Sequence, residues 1–169
     1  MWSWLAAASA HDLELEGQVR ALLKGLVPDL EAAAGRRFDH LPRIVFTDPA
    51  SETPRLVAEF SRTMPAERAF DTAALLAAAS FAAYLPASDE IVVFADNLDA
   101  IADPGGTLRA DVLRCTIAHE LVHALQAQQL PEVMSAFDDD TLMQRIAIEG
   151  QAAVLGERAC GRPAGTGYL

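Results

Sequence analysis

Two histidines four residues apart, with a glutamate directly after the first, form the densest chemical signal in the chain: His119-Glu120-Leu121-Val122-His123. In an α-helix, positions four apart lie nearly above one another, so both imidazoles leave the same face about one turn apart. Two ring nitrogens at that spacing can grip a single zinc ion. Glu120 is displaced around the cylinder towards the open side of such an ion, where a carboxylate can take the proton of the attacking water. Multiplying the chain's own residue frequencies puts chance occurrence of the pattern below roughly one in a hundred.

A catalytic zinc ordinarily has three protein ligands and a water, so a third ligand has to come from another element. Glu149 is the candidate. It falls in the pattern Leu142, Ile146, Glu149, Ala153, Gly156, a stripe at helical spacing that is otherwise apolar or small. A carboxylate buried on such a stripe needs a partner, and a divalent cation is a sufficient one. Arg145, four residues earlier, is the alternative partner. Glu157 sits off the stripe, Asp138, Asp139 and Asp140 read as a solvated loop, and His11 and His40 occur where no second ligand is spaced to join them. Gly150 is expected to let the two helices approach closely.

The elements that must position these groups can be read from periodicity and breakers. Thr107 caps a helix after Asp103-Pro104-Gly105-Gly106, and Leu113, Ile117, Leu121 and Leu125 give that helix an apolar ridge turned away from the histidines. A last helix is expected from Thr141 to about Cys160, after an acid-rich loop over 131–140. Upstream, residues 12–34 read as a helix broken at Pro28 and closed by Gly35, and Arg43 to Thr47 as a strand. Helices are expected over 54–62 and 66–79, followed by a hairpin of 80–85 with 90–94. Residues 161–169 read as a flexible tail. Cys115 and Cys160, both in expected helices, read as small buried hydrophobes, with a disulfide between those helices left open.

Composition bounds the function classes. With 169 residues, 51% of them hydrophobic and 22% charged, the chain can bury a core and reads as one domain, 1–169. A net charge of -11 opposes binding to nucleic acid and to anionic lipid. No apolar run reaches the roughly 18 residues of a membrane span. Met1 to Ala10 is apolar but has no basic residue ahead of the apolar stretch, so it does not read as a signal peptide.

With these residues in hand, the chain resembles the gluzincin type of zincin metallopeptidase, in which HExxH on one helix is completed by a glutamate on a following helix. The resemblance rests on His119 to His123 followed by Ala124-Leu125-Gln126, and on Ile148-Glu149-Gly150-Gln151-Ala152 downstream. It covers about the last third of the chain, and no third histidine of the metzincin kind follows His123. It implies an α+β fold, mostly helical, with a small mixed sheet beside the active-site helix. It further implies one Zn2+ held by His119, His123 and Glu149, with Glu120 as general base and a peptide or flexible polypeptide as substrate. Residues 90–94 are the candidate for a sheet edge along the cleft, to which an extended peptide can add through main-chain hydrogen bonds. Family members also carry a tyrosine or histidine that steadies the oxyanion; Tyr84, Tyr168 and Arg145 are the candidates here. Two alternatives share the site: an amidase or other hydrolase acting on a small or cell-wall substrate, and a latent module whose cleft is blocked by residues 1–34 or by the tail.

Overall fold

The computed structural model describes residues 10–62, 64–101, 107–131 and 142–161, and in these helices outweigh strands, an α+β composition. In chain order the elements are α1 (Ala10–Ala34), β1 (Arg43–Thr47), α2 (Pro49–Phe60), α3 (Ala66–Ala79), β2 (Ala82–Leu85), β3 (Glu90–Phe94), α4 (Ala95–Asp99), α5 (Thr107–Gln129) and α6 (Leu142–Cys160). The 131–140 loop, beyond Pro131, and the tail, beyond Gly161, lie outside the described residues.

The three strands form a mixed sheet in the order β1-β3-β2. The hairpin forms as expected, β2 pairing antiparallel with β3 around a turn in which Asp89 has a φ of 51°. Residues 90–94 are not an edge, however. The crossover through α2 and α3 brings β1 parallel to the other side of β3, so β3 is paired on both sides and the edges are β1 and β2. Side chains alternate across the sheet. One face carries Ile44, Phe46, Ala82, Tyr84, Ile91 and Val93 towards a layer built from α1, α5 and α6. The other carries Val45, Ala83, Leu85, Val92 and Phe94 towards Leu56 of α2 and Ala73 and Ala77 of α3. Glu90, fully buried in β3, meets the guanidinium groups of Arg43 and Arg55, so its charge is paired rather than stranded.

The N-terminal helix is not broken at Pro28, which lies inside a continuous α1. A proline in a helix interior costs about 3 kcal/mol, whereas full burial of a leucine or valine side chain contributes roughly 1.5–3 kcal/mol. Leu15, Val19, Leu26 and Leu30 are each no more than 1% exposed, so burial on both sides of the proline outweighs its cost. Gly35, at φ 65°, then ends the helix, and the Arg36 N–H turns back to the carbonyl of Glu31. Helix α2 starts earlier than its apolar pattern suggests because the Asp48 side chain accepts from the Ser51 N–H at 2.8 Å and Pro49 suits the first helical position.

Helix α5 packs against α1, α4, α6 and β2, with the expected ridge of Leu113, Ile117, Leu121 and Leu125 buried. Helix α6 lies antiparallel against it. Gly156 sets the approach: a Cβ at this position would stand 3.1 Å from the His119 Cα and backbone N, while a Cβ on Gly150 would meet nothing within 4 Å. The close contact expected at Gly150 therefore falls at Gly156. The same antiparallel packing brings the Cα atoms of Cys115 and Cys160 to 5.0 Å, and the two form a disulfide rather than two separate buried thiols. Among the described residues, no helix is long and apolar enough to cross a membrane.

Two stability predictions follow from the α5–α6 contact. Gly156→Ala pushes a methyl group onto the α5 backbone and is expected to cost about 1–3 kcal/mol in denaturant unfolding, whereas Gly150→Ala, in open space, stabilises by up to about 1 kcal/mol through helix propensity. The disulfide spans a sequence separation of 45. Loop-closure entropy for that length predicts a loss of about 4 kcal/mol in the Cys115→Ser/Cys160→Ser double variant, read from its unfolding midpoint under non-reducing conditions.

Candidate metal centre

Helix α5 presents His119, Glu120 and His123 where α6 crosses it, and α6 brings Glu149 to the same place. The Nε2 atoms of His119 and His123 are 3.0 Å apart, and the Glu149 Oε2 lies 3.4 Å from each. Donors about 2.0–2.1 Å from a tetrahedral zinc are separated by about 3.3 Å, so this triangle already has the dimensions that such an ion requires. The chemistry of the three atoms makes the same demand. Two ring nitrogens and a carboxylate oxygen cannot converge on lone pairs alone, and a proton or a cation has to stand among them. His119, His123 and Glu149 can thus hold a metal ion.

Glu149 reaches the site by a different route from the one its sequence pattern suggests. Most of the stripe expected to bury it faces outward, with Ile146 55% exposed, the Glu149 side chain 64% and Ala153 exposed, and among its described members only Gly156 packs on α5. The face of α6 that packs on α5 is instead Ala152, Leu155, Gly156 and Ala159. The small residues of that face, Ala152, Gly156 and Ala159, bring the helix axis near enough for Glu149, on the border of that face, to meet the imidazoles. Burial of the carboxylate is not what places it there.

Glu120 is almost fully buried, and its Oε2 accepts from the backbone N–H of Tyr84 at 2.8 Å. That N–H points out of the free edge of β2, because Phe81 and its alternate neighbours use their groups to pair with β3. The sheet edge that borders the site is therefore β2, in place of residues 90–94. Burial pushes the Glu120 carboxyl above its usual range, against the opposing pull of the two histidines and the Tyr84 N–H. Burial would lower His123, but its hydrogen bond to Glu149 and the charges of Glu120 and Glu149 outweigh this and raise it to about 8. Hydrogen bonds from His119 and His123 hold the Glu149 carboxyl well below the usual carboxylate range.

The remaining candidates are elsewhere. The Tyr84 hydroxyl donates to Asp89 at 2.9 Å, and His40 meets the other Asp89 oxygen at 2.8 Å, so that ring and that phenol are engaged at the hairpin turn. Arg145 is exposed one turn before Glu149, and Glu157 is buried outside the converging group. Tyr168, Asp138, Asp139, Asp140 and the side chain of His11 lie outside the described residues. Two participants carried no role in the pattern reading. The backbone of Tyr84 has no sequence signature, whereas Gln126, whose Oε1 is 2.9 Å from His123 Nδ1, is signalled by its place three residues along the same helical face. Comparison with family models, with curated proteins and with solved structures finds no match to this chain.

The His123 shift fixes a pH dependence. Raised from 6.5 to about 8, the protonated ring adds stability to the metal-free protein fully below pH 6.5, and that contribution is lost as pH rises through 8. A metal must displace this proton. At pH 7, binding is expected to release about one proton, and apparent affinity to rise about tenfold per pH unit up to pH 8 before flattening. Titration calorimetry of Zn2+ in buffers of different ionisation enthalpy measures both.

Proposed function

We propose that the protein is a zinc-dependent metallopeptidase of zincin-like fold that hydrolyses peptide bonds in flexible polypeptide segments, with Glu120 as the general base. The observation that carries the reading is the convergence of His119, His123 and Glu149 to a triangle of 3.0–3.4 Å with the carboxylate of Glu120 beside it. The donor set, two imidazoles and one carboxylate with room for a further oxygen, is that of a catalytic zinc rather than of a closed structural site. The ion would supply Lewis acidity, lowering the pKa of a water towards about 7 and polarising the substrate carbonyl.

The chain's own residues supply the rest. Glu120 accepts the proton of the attacking water on one carboxylate oxygen and returns it to the leaving amine as the carbon–nitrogen bond breaks. Its burial favours that exchange, since a base whose pKa is raised towards neutrality also donates well. The Tyr84 N–H holds the carboxylate in one orientation throughout. Exposure of the Glu149 side chain, and partial exposure of His119 at 30%, leave the centre open on one side. That openness supports a polymer laid across the surface over a small molecule enclosed in a pocket, which would be buried on most of its surface. It is the reason to prefer a peptide over the amidase reading. Latency through residues 10–34 fits less well, because Leu15, Val19, Leu26 and Leu30 belong to the core and cannot leave it cheaply.

Glu120→Gln leaves all three ligands in place. It is expected to retain stoichiometric zinc, measured by elemental analysis of the purified protein, and to lose about 10²–10⁴ in turnover of a mixed peptide library. His123→Ala and Glu149→Ala should lose the metal and the activity together. Unchanged turnover in Glu120→Gln, or peptide-hydrolysing activity that survives without metal, would overturn the assignment.

A further inference from the structure

We infer that Gln126 is the positioning residue of the centre: one buried amide that fixes the tautomer of His123 and at the same time ties that ring to the backbone beside Glu149. This rests on the metal reading above for its function, but its geometry stands independently. Gln126 is 5% exposed and makes three side-chain hydrogen bonds. Its Nε2 donates to the carbonyl of Ile148 at 3.0 Å and to Gln151 Oε1 at 2.9 Å, and its Oε1 lies 2.9 Å from His123 Nδ1.

The orientation of an amide is often ambiguous, because its oxygen and nitrogen have nearly the same shape. Here the Ile148 carbonyl removes the ambiguity. A backbone carbonyl only accepts, so the group facing it must be the Gln126 NH2, and the Gln126 oxygen must face His123. That oxygen only accepts as well, so Nδ1 of the imidazole must carry a hydrogen. In the neutral ring this leaves the lone pair on Nε2, the atom that faces His119 Nε2 and Glu149 Oε2. A carbonyl on α6 therefore dictates, through one side chain, which nitrogen of a ring on α5 is free to bind a metal.

The same three bonds set position. Ile148 and Gln151 flank Glu149, so the amide holds the α6 segment that carries the third ligand in register with the ring that carries the second. Gln126 touches neither the ion position nor the Glu120 carboxylate and takes no part in the chemical step. Neighbouring Gln128 provides an internal control. It too is a glutamine on α5 holding a second segment, through the backbone N–H of Asp39 and the carbonyl of His40, yet it contacts no ligand.

The test compares full-length wild type with Gln126→Met, Gln126→Glu and Gln128→Ala. Methionine keeps length and volume while removing all three hydrogen bonds; glutamate keeps an acceptor for Nδ1–H while removing the donors to α6. The first readout is the His123 tautomer in metal-free protein by ¹⁵N NMR, at a pH where the ring is neutral. Wild type and Gln128→Ala should show Nδ1–H, Gln126→Met a mixture or Nε2–H, and Gln126→Glu a return to Nδ1–H. The second is Zn2+ affinity by chelator competition, expected to fall about 10–100-fold in Gln126→Met, by a smaller factor in Gln126→Glu, which keeps the tautomer but loses the two bonds to α6, and to be unchanged in Gln128→Ala. A folded Gln126→Met protein, checked by circular dichroism, with the wild-type tautomer overturns the inference, as does Nε2–H in wild type. A wild type that binds no zinc overturns the metallopeptidase reading instead, and the tautomer comparison still decides the role of Gln126. Should Gln126→Met not fold, the glutamate variant decides: Nε2–H in it overturns the inference, and Nδ1–H supports it.

Discussion

The distance between α5 and α6 is the constraint on which the rest depends. Histidines on one helix and a carboxylate on another can meet over a single point only if the helix axes run close, and axis separation is set by the side chains at the contact. Gly156 lies against the His119 backbone, and Ala152 and Ala159 stand one turn to either side, so α6 presents its smallest residues where the ligands of α5 emerge. The Cys115–Cys160 disulfide secures one end of this crossing and the Gln126 bonds secure the other. Between these two fixings the three ligand atoms have little freedom to separate, so the site is built before any ion arrives.

The sheet contributes through an edge rather than through its face. Because β3 is paired on both sides, the outward N–H groups near α5 belong to β2, and one of them, that of Tyr84, is taken by Glu120. A carboxylate buried to this degree would ordinarily be neutral. The Tyr84 N–H and the two nearby imidazoles oppose that tendency without abolishing it. The balance depends on the burial of this carboxylate, which lies on α5 where that helix packs against β2.

Much of this was legible in the residues. Helical spacing placed His119 and His123 on one face and the ridge of Leu113, Ile117, Leu121 and Leu125 on another, and both are local consequences of one element. Glu149 was legible by its position after the first motif, but for a mistaken reason. An apolar stripe was expected to bury it, but of that stripe only Gly156 lies on the burying face of α6, which is otherwise Ala152, Leu155 and Ala159, and the weak hydrophobicity of its alanines and glycine hides how closely they pack. The centrality of β3 depends on a parallel partner brought by a crossover of two helices, which no local alternation records. Pro28 failed to break α1 because the leucines around it are buried by distant parts of the chain. The cysteines, too, show their partnership only once α5 and α6 are known to run antiparallel.

A cluster of this kind must also be stable while it holds no ion, and its charges explain how it can be. With His123 raised to about 8 and Glu149 held low, the neutral-pH state without metal pairs an imidazolium with a carboxylate, and a proton stands where a cation would. The positive charge satisfies the same three atoms that an ion would satisfy, so the helices need not part to relieve repulsion among lone pairs. Exposure of Glu149 screens that attraction and keeps its contribution modest. Exchange of a proton for a divalent cation would then demand little rearrangement of α5 or α6: the three donor atoms already stand at metal-binding separations, one ring nitrogen is turned towards the gap by a backbone carbonyl on the opposite helix, and the exposed side of Glu149 would give an ion its way in.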